Sequence, residues 1–418
     1  MISGWTRLRR RFATLSIDVV HRQSPATGLV HIQVRGDSPG SADARLRLFV
    51  DNDCIFEAPL HAQEAGADRL LLDLGLHSAL LTDGEHELRV ELHERWRSKA
   101  SAHTSLHIRN CSPIAQRSRA ALTAAGTPLV VHNGDFDSSL YPYSSTGAGC
   151  WFDSPDALEY IATGEAEGRF TADEAARLRH FVEHGYLVLE GLIAPDILAT
   201  VNAEIDSAVA SGWEAYRYGS SQRITQLHSH YPGIRALWQS ERYLHWLRLL
   251  FGEDALPCQS LTYLFGSQQD AHQDTIHLTP FPAGAMCGVW IALEDIQPDS
   301  GELVIYPGSH RLERLYLRDT GCAKVRDNNW QPFGEMVVPR WQELITRHGL
   351  RPEIYRPAAG SVLIWHENLL HAGSRREDPD RTRRSIVFHC FAEGAVPYYD
   401  STGQIGYTFR PDSRTTRP

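Results

Sequence analysis

The sequence predicts a mainly β chain with flanking helices, made of an N-terminal β-sandwich and a larger, mixed C-terminal domain. Three observations carry that prediction. Over roughly the first 110 residues apolar and polar residues alternate at period two, with turn signals about every ten residues. From Thr171 the apolar spacing becomes helical. Beyond Cys258 short apolar runs separated by glycines return.

Each element follows from local pattern. Residues 29–34 and 45–50 alternate as strands, and Asp51-Asn52-Asp53 turns the chain into a partner strand at 54–56. Residues 69–74 form another strand, Asp83-Gly84 marks a turn, and 87–92 and 105–108 complete the set. The stretch 112–164 is rich in Pro, Gly and Ser and reads as a linker that packs in part on one domain or both. Thr171 with Glu174 makes a capping box, and Gly185 ends that helix before a strand at 186–189. Pro195 opens a helix whose stripe is Leu198, Val201, Ile205 and Val209, and a third helix falls near 240–251. This divides the chain into residues 1–111, 112–164 and 165–418. A chain starting near Gly164 is then expected to fold alone.

Composition narrows the function. The 418 residues are 42% hydrophobic and 22% charged, as in soluble globular proteins. With 41 basic against 51 acidic residues the formal charge is -10, which disfavours nucleic acid as a partner. No apolar run has the length of a membrane span, which argues against a membrane partner. Arg7, Arg9, Arg10 and Arg11 precede no apolar segment of a leader, so a cytoplasmic location is expected. The seven cysteines are scattered, without a CxxC pair, and most read as small buried hydrophobes rather than a disulfide framework or zinc site.

The residues that carry chemistry lie late in the chain. In a strand His272 and Asp274 would face one side, so an imidazole nitrogen and a carboxylate oxygen could share a cation. His371 follows an apolar Leu369-Leu370 pair, and Arg383-Arg384 opens a strand of bulky residues. Two histidines and one carboxylate make the facial triad of non-haem iron(II) oxygenases. An arginine beyond the distal histidine can clamp a carboxylate.

The order of motifs resembles the phytanoyl-CoA dioxygenase family of Fe(II)- and 2-oxoglutarate-dependent enzymes over roughly residues 165–400. The resemblance begins with the helix, Gly185-Tyr186 and the strand after them. It continues through His272-Gln273-Asp274, Trp290 to Asp295, Ser300-Gly301-Glu302, Pro307-Gly308-Ser309-His310 and Gly360-Ser361-Val362, and ends with His371 and Arg383. It implies a double-stranded β-helix (jelly-roll) catalytic domain, with Fe(II) held by His272, Asp274 and His371. It also implies 2-oxoglutarate as cosubstrate with its distal carboxylate on Arg383, O2 as oxidant, and Trp290 beside the cosubstrate. Strand alternation lets only one of Arg383 and Arg384 point inward, and Arg383 is preferred. Ser374, Gln259, Tyr263 and Arg223 are further candidates for the pocket. Asp274 is a carboxylate, not the Ala or Gly of related halogenases, so hydroxylation of a C–H bond is the expected reaction.

Other polar residues have plainer readings. His310 fits a turn, His277 and His366 fit pocket walls, and His389 fits the core. Arg311, Arg314, Arg318, Lys324 and Arg326 fall in an insert that is either a lid over an anionic substrate or a solvated face. The substrate is expected to be a small molecule derived from a lipid, a saccharide or secondary metabolism. The N-terminal domain could bind a glycan or a protein, or mediate dimerisation. A ligand-binding protein without catalysis and a scaffold built on the N-terminal domain are the competing classes.

Overall fold

The computed structural model describes residues 15–20, 25–37, 44–59, 65–66, 69–94, 97–143 and 149–409. Arg7, Arg9, Arg10, Arg11 and the loop residues 144–147 lie outside these. The chain divides into two compact units, residues 1–110 with 128–133, and residues 111–127 with 134–418.

The first unit contains two antiparallel sheets. One has the order Leu15–Val20, Leu29–Asp37, Arg69–His77, Ala65–Gly66, and Val130–His132 also pairs with Arg69–His77. The other has the order Asp53–Pro59, Ala44–Val50, Gly84–Glu94, Arg97–Ile108. Alternation sends Ile32, Val34, Leu72, Leu74 and Leu76 from the first sheet and Leu46, Leu48, Leu88, Val90 and Leu106 from the second into one hydrophobic cluster.

The second unit is organised by a six-stranded antiparallel sheet. Its order is Tyr186–Leu189, Val362–His366, Met286–Ala292, Ser385–Ala392, Ala255–Tyr263, Ile224–Thr225. Every residue of its three central strands is buried, because both faces are covered. Outward residues such as Val289, Ile291, Ile364, Ile386 and Phe388 pack with the helices Ala172–His184, Pro195–Ala210 and Glu241–Phe251. The first of these helices has the full Thr171–Glu174 capping box and ends with Gly185 in the left-handed region. In the second helix Ala208 joins Leu198, Val201 and Ile205 in the buried stripe, and Val209 is only half-buried.

The inward face of the same sheet carries Leu261, Tyr263, Trp290, Leu363, Trp365 and Val387. These pack against Leu303 and Ile305 of a small sheet ordered Glu353–Tyr355, Leu303–Ile305, His371–Gly373. His371 therefore begins a strand that faces the large sheet across this inner cluster.

The stretch 112–164 is more ordered than its composition suggests. Ser112 Oγ accepts from Ala115 N and starts the helix Pro113–Ala125, which Gly126 ends in the left-handed region. Ile114, Cys150, Phe152, Ala157 and Ile161 are buried in the main core of the second unit. A start near Gly164 would strip all five from that core, which argues against such a chain folding alone. Losing one large buried side chain costs on the order of 2–5 kcal/mol, and a whole domain is stable by only about 5–15 kcal/mol. A chain starting at Gly164 should therefore be insoluble or lack a cooperative thermal transition. One starting at Cys111 keeps all five residues and should unfold cooperatively, as scanning calorimetry of both would establish.

Among the described residues Cys54 and Cys111 are exposed and the other five cysteines are buried. No helix among them is long and apolar enough to cross a membrane.

Candidate metal centre and its inner sheet

His272 and His371 are joined backbone to backbone. His272 N donates to His371 O (3.0 Å) and His371 N to His272 O (3.1 Å), an isolated antiparallel bridge. Asp274 does not continue a strand, as the His-x-Asp spacing suggested, but opens a single 3-10 turn, Asp274–Ile276. Its carbonyl accepts from both His277 N and Leu278 N at 2.8 Å, so the chain turns sharply there. Local hydrogen bonding thus overrides extended geometry, and the carboxylate still swings to the side of the two imidazoles.

One ligand atom from each of His272, Asp274 and His371 lies within 4.8 Å of the other two, and all three residues are buried. Asp274 Oδ1 is 3.7 Å from His272 Nε2 and 3.8 Å from His371 Nε2. His272 Nδ1 faces the Asp270 carbonyl at 2.8 Å, and His371 Nδ1 faces the Leu369 carbonyl at 3.0 Å. Each Nδ1 must carry its proton to donate, so each Nε2 presents a lone pair toward the same point. Burial, with His371 adjacent, pushes His272 down to about 3 and keeps it neutral. Burial alone would raise the Asp274 carboxyl, but His371, His389 and His272 hold it well below the usual carboxylate range. Two imidazole nitrogens and one carboxylate are a donor set for a divalent transition metal.

The large sheet supports Asp274 with one row of side chains across four strands. Gln259 pairs with His389, His389 with Gly288, and Gly288 with Trp365. A Cβ on Gly288 would meet the Trp365 indole at 2.1 Å, so only glycine leaves room for that ring. Trp365 Nε1 donates to Asp274 Oδ2 (2.8 Å). Gln259 Nε2 donates to His389 Nδ1 (3.1 Å), which leaves the ring proton on Nε2, 3.5 Å from Asp274 Oδ2.

The next row along the strands is Leu261, Val387, Trp290 and Leu363, followed by Tyr263, Ser385 and Ala292. Arg383 lies on this inner side and is 2% exposed. Its Cζ is 5.4 Å from the Tyr263 ring centroid and 5.8 Å from that of Trp290. The guanidinium therefore folds back over the middle row, about one strand repeat of 7 Å from the row beneath Asp274. No carboxylate among the described residues pairs with it, and Arg383 Nε and Trp290 Nε1 are buried without a hydrogen-bond partner. Burial pulls Arg383 down to about 10, against the upward influence of Tyr263 and Glu302. Arg384 faces the other way, its Nη2 2.6 Å from Asp206 on the helix Pro195–Ala210.

The remaining candidates are dispersed. Ser374 Oγ donates to Glu302 Oε2 (2.7 Å), a carboxylate also held by Arg356 at 2.9 Å. Arg223 is exposed and pairs with no residue of the sheet, but its charge reaches His277 and helps to push that ring down to about 4, after burial. The insert arginines serve structure. Arg311 and Arg318 donate to the Val182 and Ser138 carbonyls, Arg326 to those of Thr402 and Gly134, and Arg314 pairs with Asp153 and Glu367. Sequence reasoning missed Trp365 and Gly288, although a glycine and a tryptophan on adjacent buried strands was the available signal.

Comparison with known proteins finds one family model and several distant relatives. Residues 181–385 match the model of the phytanoyl-CoA dioxygenase (PhyH) family. Ectoine dioxygenase of Nocardia farcinica (strain IFM 10152) is 25% identical over 232 residues, 51% of this chain and 76% of that protein. Phytanoyl-CoA dioxygenase domain-containing protein 1 of Rattus norvegicus is 34% identical over 187 residues, 41% of this chain and 57% of that one. The crystal structure of EctD from S. alaskensis with 2-oxoglutarate and 5-hydroxyectoine is 21% identical, with a TM-score of 0.40 over 53% of this chain and 76% of that one. Over residues 181–385, just under half of its length, this chain is similar to the phytanoyl-CoA dioxygenase (PhyH) family.

Proposed function

We propose that the protein is a 2-oxoglutarate-dependent dioxygenase that hydroxylates a C–H bond of a small molecule. The observation that carries this reading is the convergence of two Nε2 lone pairs and one carboxylate oxygen within 4.8 Å, with both Nδ1 atoms fixed on backbone carbonyls. His272, Asp274 and His371 would hold Fe(II). The buried Arg383, whose Nε has no partner, suits the distal carboxylate of 2-oxoglutarate, and the unpartnered Trp290 Nε1 offers a donor nearby. Tyr263 and Gln259 line the same inner face, and Ser374 contributes through Glu302. When bound, iron, 2-oxoglutarate and O2 supply the oxidation, with succinate and CO2 leaving. The protein's residues orient the cosubstrate and exclude water. Two sheets with the inner cluster between them support a double-stranded β-helix, and the first unit is read as a β-sandwich.

The test is iron- and O2-dependent succinate formation, with and without candidate substrates. A protein that binds 2-oxoglutarate but never forms succinate would be a ligand-binding member of the family instead. Trp365→Phe keeps an aromatic side chain but removes the indole N–H that reaches Asp274, together with part of the ring volume over Gly288. Its Fe(II) affinity should fall about tenfold, the lower end for partners that orient a ligand, and unchanged affinity in an Fe(II) titration would remove Trp365 from the account.

A further inference from the structure

We propose that Arg314 and Glu367 form a charged brace that positions the His371 loop and thereby sets the affinity of the centre for its metal, an inference that rests on the metal reading above. Glu367 has no exposed surface, and its Oε1 accepts from Gly284 N (2.8 Å) and Arg314 Nε (2.9 Å). Arg314 Nη2 also donates to Asp153 Oδ2 (2.8 Å). Asp153 Oδ1 is 3.2 Å from His366 Nε2, and His366 Nδ1 accepts from Asn368 N at 2.9 Å. The proton of that ring is therefore on Nε2, facing Asp153. His366, Asp153, Arg314 and Glu367 close a ring that begins on the last residue of the strand Val362–His366 and ends on the first residue of the loop after it.

That loop is stitched to the residues on either side of Asp274. The Glu367 carbonyl accepts from Thr275 N (3.2 Å), and Asn368 Oδ1 accepts from Thr275 Oγ1 (3.2 Å). Gln273 Nε2 donates to the Asn368 carbonyl (3.3 Å). Asn368 Nδ2 donates in turn to the His310 and Leu312 carbonyls, at 2.9 and 2.8 Å. Three residues further on the loop delivers His371. The position of Glu367 therefore propagates to the gap between His371 Nε2 and Asp274 Oδ1.

The charge balance shows why Arg314 matters. Among the described residues it is the one cation that contacts both carboxylates, and Glu367 Oε2 already lacks a partner. Without Arg314, Glu367 would be a buried unpaired carboxylate, relieved by taking up a proton or by movement of the loop toward water, and the brace is proposed to prevent that movement. A route exists, because Asp153 and Arg314 also line a cavity of about 930 Å³ together with Tyr143, Tyr316 and Arg318. Movement that way would pull Asn368 from Thr275 and open the triad. Arg314 and Glu367 touch no reacting atom in this scheme and are positioning residues.

The experiment measures anaerobic Fe(II) affinity and thermal unfolding of the metal-free protein for wild type, R314M, E367Q and R314M/E367Q. R314M should bind Fe(II) at least tenfold more weakly, within the ~10–100-fold range for residues that orient ligands. The double variant, with no carboxylate left unpaired at position 367, should return to within about threefold of wild type, the non-additivity expected of a direct pair. R314M that unfolds at a lower temperature but binds Fe(II) like wild type would overturn the proposal, as would a double variant as weak as R314M. If R314M does not fold, D153N, which removes one of the two acids Arg314 holds, should still weaken Fe(II) binding severalfold, and unchanged binding there would also overturn it. A wild type that binds no Fe(II) would instead refute the metal reading.

Discussion

Replacing Arg383 with methionine should abolish measurable 2-oxoglutarate binding, leave Fe(II) binding intact and make the metal-free protein more stable. The three effects share one cause. Arg383 is buried without an acid partner, and a buried charge held this way costs stability until a ligand compensates it. Removing one partner of a buried ion pair costs about 3–5 kcal/mol, roughly two to three and a half orders of magnitude in affinity. Methionine fills similar volume over Tyr263 and Trp290 and needs no counter-charge. Arg384→Ala is the control. It breaks a pair with the exposed side chain of Asp206, worth about 1 kcal/mol at most, and should leave 2-oxoglutarate binding unchanged. Calorimetric titration with paired thermal unfolding reads all three effects. Loss of binding in the Arg384 variant alone would mean that the wrong arginine was assigned.

His371→Ala should reduce Fe(II) affinity by more than the roughly 100-fold upper range seen for partners that only orient a ligand. The bond that ties this loop to His272 is backbone to backbone, so the variant keeps the bridge and loses only the donor atom. Asp274→Ala should show as large a metal defect with a larger stability change, because Trp365 Nε1 and His389 lose the carboxylate they face. Equilibrium dialysis against Fe(II) separates the two. Stoichiometric, tight iron in either variant would contradict the ligand assignment.

Residues far apart in the chain were legible where chemistry constrains them. The order His272, Asp274, His371 and Arg383 stands out in the sequence because few residue types can bind a metal or clamp a carboxylate, and the first three do come together. The helix cap at Thr171 can be read because its hydrogen bonds are local. The turn at Asp274 was not legible, since the His-x-Asp spacing suits a strand and a 3-10 turn equally well. Alternation narrows Arg383 and Arg384 to one inward residue, but which one depends on Asp206 waiting on a helix. Residues 112–164 hide their role because Ile114, Cys150, Phe152, Ala157 and Ile161 follow no single period while filling one core. The Arg314–Glu367 pair spans 53 positions, and no local pattern announces such a contact.

The central claim is that the His-Asp-His cluster and Arg383 form one site in which metal and cosubstrate bind together. The most direct measurement is an anaerobic calorimetric titration of 2-oxoglutarate into the protein, once metal-free and once loaded with Fe(II). The account predicts one equivalent bound tightly to the iron-loaded protein and weak binding without iron, because Arg383 alone then holds the diacid. Equal binding with and without iron, or none to the iron-loaded protein, would contradict it.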